Sequence, residues 1–149
     1  MKNNNNRYIK RRKTLPFLVT EYKNEVKLTD AQAVYNELRD IKDASKEIFV
    51  IFCLDTKNKV ILREIVTIGL LDASLVHPRE IFRQAILVNS KSIILAHNHP
   101  SGDTKPSTQD IKVTKMIADA GNILNIKVLD HVIAGKNSFT SLKEEGFLL

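Results

Sequence analysis

Apolar positions follow two rhythms along this chain, and together they predict its elements. Val34, Leu38 and Ile41 fall at i, i+4 and i+7 behind Thr29 or Asp30, either of which can cap a helix. One stripe of this kind predicts a helix from there to about Ala44. Residues 47–54, Glu-Ile-Phe-Val-Ile-Phe-Cys-Leu, are a dense apolar run rich in β-branched and aromatic side chains, which predicts a strand buried on both faces. A polar turn at 55–59 leads to a second strand at 60–68, so the pair reads as a hairpin that Gly69 ends. Pro78 behind His77 opens a helix with residues 79–88 as its body. Ile81, Phe82, Ala85, Ile86 and Leu87 make that helix apolar on most sides, so it should be well buried. Residues 92–96 form a short apolar strand, and Ser107 starts a helix whose stripe is Val113, Ile117, Ala120 and Leu124. A strand over 125–134, a tight turn at 135–137 and a last strand at 138–142 complete the order α-β-β-α-β-α-β-β. That order predicts a single α/β domain, a mixed curved sheet packed with helices. Its expected extent is 29–149, after a flexible tail over 1–14 and an arm over 15–28 with room for a short extended piece.

Composition changes this picture little. Hydrophobic content of 43% and charged content of 27% are ordinary for a soluble globular protein. No apolar run is long enough to cross a bilayer, and the basic, Asn-rich start lacks the apolar region of a signal peptide. A lone cysteine, Cys53, excludes an internal disulfide and fits a reducing compartment, so the expected location is the cytoplasm with no membrane partner.

The net charge of +6 matters only for where it sits. Residues 1–13 carry Lys2, Arg7, Lys10, Arg11, Arg12 and Lys13 and no acid. The rest of the chain holds 17 basic and 17 acidic residues, so the body is formally neutral. A tail with Lys10, Arg11, Arg12 and Lys13 could make weak, salt-sensitive contact with nucleic acid, although a solubilising end is the simpler expectation.

The candidate chemistry lies where the 92–96 strand ends. His97 and His99 are two positions apart, so in an extended chain they point to the same side. Pro100, Gly102 and Pro106 punctuate a loop that can return the following helix to the strand end. Asp110, three positions before Val113, leans toward the core side of that helix. Taken singly, these residues are bland: Ser107 and Asp110 suit any helix start, and a lone histidine often only lines a loop. Taken together, two imidazoles and a carboxylate are a donor set suited to one Zn²⁺ with a fourth position open. His131 beside Asp130 could support these donors by orienting a ligand histidine, or could be a structural polar pair. His77 reads as a helix-start residue. Cys53 reads as core, since nothing places an activating base beside it.

At these residues the chain resembles the MPN/JAMM metalloproteases. Their signature of His-x-His-Pro, six residues, then Ser-x-x-Asp is matched by His97-Asn98-His99-Pro100 and Ser107-Thr108-Gln109-Asp110. His77-Pro78-Arg79-Glu80, His97 through Gly102, and Leu129-Asp130-His131 with Gly135 are similar to the RadC branch. The resemblance covers roughly residues 27–149. It implies a zinc hydrolase of peptide or isopeptide bonds, with His97, His99 and Asp110 holding one zinc ion and a protein or peptide as substrate. It further implies Ser107 as a hydrogen-bond donor to the developing oxyanion, a role that would compete with helix capping if one hydroxyl served both. A glutamate base is implied near the start of the first core strand, where Glu47 is the matching position and Glu64 and Glu80 are competitors.

Other readings fare worse. A zinc deaminase needs a Pro-Cys-x-x-Cys partner that a chain with one cysteine lacks. The adjacent letters His97-Asn98-His99 do not make an HNH nuclease, whose residues are dispersed over a ββα unit. The serious alternative is a non-catalytic interaction module or a DNA-repair accessory of RadC type. Longer RadC-like chains carry an N-terminal helix-hairpin-helix segment. Only some 26 residues precede the matching region here, which leaves the basic tail as the expected support for DNA binding.

Overall fold

The structure, a computed structural model, describes residues 18–148. The basic tail, with Lys10, Arg11, Arg12 and Lys13, lies outside the described residues. Six strands form one open mixed sheet: β1 (Val19–Glu21), β2 (Ile48–Leu54), β3 (Val60–Ile68), β4 (Ser92–Asn98), β5 (Lys127–Ala134) and β6 (Phe139–Ser141). Three helices, α1 (Ala31–Asn36), α2 (Pro78–Leu87) and α3 (Thr108–Leu124), pack on it. Among the described residues the strand order is β1-β3-β2-β4-β5-β6, with only the β4–β5 pair parallel. The α3 crossover between β4 and β5 explains that pairing, because parallel neighbours need a connection long enough to return the chain to the same end.

Alternation along the central strands feeds a core on each face. Phe49, Ile51 and Cys53 of β2 and Ile93 and Leu95 of β4 pack against Ile81, Phe82 and Ala85 of α2 and Val113 and Ile117 of α3. Val50, Phe52 and Leu54, with Ile94 and Ala96, meet Val34, Leu38 and Ile41 on the other side. A strand covered on both faces must be apolar at nearly every position, which is why β2 reads as one continuous run.

The predicted elements are all present; the sheet gains β1, a short extended piece in the arm, and three details differ. The first helix ends at Asn36, well short of Ala44. Its stripe survives, since residues 37–44 continue as turns closed by bonds such as Leu38 N–H to Tyr35 O and Ile41 N–H to Leu38 O. Helix α2 is buried on one side only, with Ile86 and Leu87 each 52% exposed. On α3 the buried stripe is Asp110, Val113, Thr114, Ile117 and Gly121, while Leu124 faces solvent. Gly121 is required there: a Cβ would meet Ile126 O at 2.5 Å and the ring of Phe82 at 3.1 Å. Among the described residues, no helix is long and apolar enough to cross a membrane.

Candidate metal centre

Strand register brings the site together. Phe49 pairs with His97 across the antiparallel β2–β4 ladder. Glu47, just before β2, and His99, just after β4, lie two positions outward from that pair, so extended alternation puts them on its face. His97 is the last-but-one residue of β4, and Asp110 sits in the first turn of α3, so strand end and helix start converge. Glu47, His97, His99 and Asp110 each offer a ligand atom, all within 4.8 Å of one another, and form a group that could hold a metal ion.

The spacing of the donor atoms of His97 and His99 and the two carboxylate oxygens of Asp110 suits a small divalent ion. His97 Nε2 lies 3.0 Å from His99 Nε2 and 3.2 Å from Asp110 Oδ1, and His99 Nε2 lies 3.4 Å from Asp110 Oδ2. Ligands about 2.0–2.1 Å from a tetrahedral zinc would be about 3.3 Å apart. Glu47 Oε1 stands further off, 3.8 Å from His97 Nε2. The burial is graded. The His97 and Asp110 side chains are 0% and 2% exposed, while those of Glu47 and His99 are 13% and 15% exposed. The cluster therefore opens to solvent on the Glu47–His99 side.

Local structure fixes each donor. His99 Nδ1 lies 2.7 Å from the carbonyl oxygen of Asp103, which can only accept. Nδ1 therefore carries the proton, and a neutral His99 turns the lone pair of Nε2 inward. His97 Nδ1 meets His131 Nε2 at 2.8 Å. Burial would raise the Asp110 pKa, but the neighbouring imidazoles and the Ser107 N–H outweigh it and hold the carboxyl well below the usual carboxylate range. His99 is shifted up by its bond with Asp110, against the opposing effect of burial.

Ser107 and Asp110 form a reciprocal capping box. Asp110 N–H donates to Ser107 Oγ at 3.1 Å, and Ser107 N–H donates to Asp110 Oδ2 at 2.7 Å. The expected competition for one hydroxyl disappears, because the cap uses an oxygen lone pair and leaves the hydroxyl proton available for another acceptor.

The other candidates separate clearly. His131 is fully buried against His97, but Asp130 does not reach the site. Its carboxylate accepts from Ser141 Oγ and from the backbone N–H groups of His131 and Lys143, securing the turn after β6. Glu64 lies on β3, 3.8 Å from Arg83, and Glu80 lies beside Arg79 on the surface of α2. His77 is the N-cap of α2. Burial pushes the Cys53 thiol up to about 12, aided by the Glu64 charge, as suits an inert core residue.

Two residues at the site had no role in the sequence reading. Asn98, between the two histidines, points to the opposite face and accepts from Ile48 N–H at 2.7 Å. It also donates to Lys46 O at 3.0 Å, thereby clamping the backbone on both sides of Glu47. Thr114, one turn after Asp110, bonds His131. A turn-spaced threonine behind a ligand position is the only sequence signal for it, and alternation places Asn98 opposite the histidines without naming its partners.

An open α/β sheet that brings two histidines, an aspartate and a glutamate together at a strand end is consistent with a JAB-type domain. The chain belongs to the RadC-like JAB domain family, whose model matches residues 28–147. It is 50% identical over 115 residues to a UPF0758 protein of Methanosarcina barkeri, covering 77% of this chain and 49% of that protein. A UPF0758 protein of Listeria innocua is 48% identical over 130 residues, covering 87% and 58%. One from Caldanaerobacter subterraneus is 51% identical over 121 residues, covering 80% and 52%. The chain thus spans about half the length of the curated relatives it matches.

Proposed function

We propose that this protein is a zinc-dependent hydrolase of peptide or isopeptide bonds, with one zinc ion held by His97, His99 and Asp110. The observation that carries this reading is the convergence of His97, His99 and the Asp110 carboxylate, with donor atoms 3.0–3.4 Å apart and the Glu47 carboxylate just outside. A zinc ion there would act as a Lewis acid and lower the pKa of a bound water toward neutrality. Glu47, on the solvent side, takes the proton of the attacking water and passes it to the leaving amine. Ser107 directs its hydroxyl proton at the oxygen that gains charge as the carbonyl is attacked, worth about 10²–10³ in rate. Asp110 and His99 keep their donor atoms fixed through the capping box and the Asp103 carbonyl, so little reorganisation accompanies catalysis.

The substrate is a protein or peptide reaching the Glu47–His99 opening, and the single buried Cys53 fits action in the cytoplasm. The test is Glu47→Gln on a model peptide or isopeptide substrate. Turnover should fall by about 10²–10⁴ while zinc content is unchanged. Unchanged turnover would remove Glu47 from the base role.

A further inference from the structure

Behind the site runs a buried chain of hydrogen bonds that links two of the proposed ligands. The Thr114 hydroxyl lies 2.6 Å from the backbone carbonyl of Asp110 and also contacts His131 Nδ1. His131 Nε2 is 2.8 Å from His97 Nδ1. Thr114, His131 and His97 are all 0% exposed, so water has no access to reverse or bridge these bonds.

The direction of every proton follows from the carbonyl at the end. A carbonyl oxygen only accepts, so the single proton of Thr114 goes to Asp110 O. The hydroxyl oxygen must then accept, and His131 donates to it from Nδ1. His131 is fully buried, and its two ring nitrogens meet a hydroxyl and an imidazole rather than a carboxylate, so the buried ring is neutral. A neutral imidazole has one N–H, so His131 Nε2 is an acceptor and His97 Nδ1 must donate to it. A neutral His97 is left with its lone pair on Nε2, facing His99 and Asp110.

We propose that Thr114 and His131 are positioning residues that set the tautomer of His97 and thereby prepare the zinc site. The proposal rests on the zinc reading above. His99 reaches the same state through the Asp103 carbonyl on an exposed loop, whereas His97 reaches it through two side chains in the core. Thr114→Val keeps the shape and removes the hydroxyl. His131 then has no acceptor at Nδ1 and moves its proton to Nε2. That proton is offered to His97 Nδ1, which drives the His97 proton onto the nitrogen that should bind metal.

The test combines histidine ring ¹⁵N spectra with zinc affinity by chelator competition. In wild-type protein, zinc-loaded and chelated, His131 should be protonated at Nδ1 and bare at Nε2. In chelated Thr114→Val it should be protonated at Nε2, and zinc affinity should fall about 10–100-fold. Thr114→Ser should restore both. A wild-type His131 protonated at Nε2 overturns the proposal without any variant having to fold. So does a Thr114→Val protein that keeps both the wild-type tautomer and the wild-type zinc affinity. If wild-type protein binds no zinc, the zinc reading fails, and the chelated spectra still decide the direction of the relay.

Discussion

Replacing Asn98 should loosen the proposed base without touching a proposed ligand. The side chain is fully buried on the face away from the histidines, and its amide satisfies both edges of the strand start that carries Glu47. Asn98→Ala removes an accepted bond of 2.7 Å from Ile48 N–H and a donated bond of 3.0 Å to Lys46 O. Each such bond contributes about 1 kcal/mol net, and a buried group left unpaired costs about 1–3 kcal/mol. Ile48 is half-buried and Lys46 is exposed, so water takes over part of the loss. The expected cost is therefore about 2–3 kcal/mol, or a fall in Tm of about 5–10 °C for a domain of this size. Asn98→Asp keeps the acceptor for Ile48 N–H but sets a carboxylate oxygen against the Lys46 carbonyl in a buried site, and should cost at least as much. Urea unfolding gives the stability, and turnover of a model substrate should fall with Glu47 misplaced while zinc stoichiometry holds. Asn98→Asp as stable and as active as wild type would refute the clamp.

Two further perturbations probe the loop and the charges. In Gly135→Ala the new Cβ would meet Gly102 O at 2.7 Å and Thr104 Cγ2 at 2.8 Å, so the loop that orients His99 must shift; zinc affinity by chelator competition should drop severalfold. In chelated protein, His99 has a raised folded pKa, so its contribution to stability is full below about pH 6.5 and is lost as pH rises through the folded value. Asp110, with a lowered folded pKa, contributes stability above about pH 3.9 that is lost as pH falls through its folded value. His131, with a lowered folded pKa, opposes His99 below about pH 6.5, so melting curves of chelated protein should peak near that pH and decline above it. Zinc-loaded protein should not show that decline, because the metal replaces the proton.

Much of this architecture is legible in the chain because local patterning and tertiary structure agree. The hairpin of β2 and β3 and the strand–loop–helix around His97, His99 and Asp110 follow from alternation, a proline- and glycine-marked loop and a capped helix. Glu47 is harder to read, because only the pairing of Phe49 with His97 brings it to the site, and register is a property of two strands at once. His131 is a sequence candidate for orienting a ligand histidine, but its partner 34 positions away, like the partners of Asn98 and Thr114 at 50 and 17 positions, is encoded in no local pattern. The misjudged faces share one cause. Ile86, Leu87 and Leu124 are apolar yet exposed, and hydrophobicity alone does not say which side of a helix a neighbour covers.

The central claim is that three side chains hold one zinc ion. It is tested most directly by elemental analysis of protein purified without chelators, beside His97→Ala/His99→Ala. About one zinc per chain in the wild type, and none in the double variant, is the predicted result. A wild-type chain without metal that also fails to take up added zinc at neutral pH would contradict it.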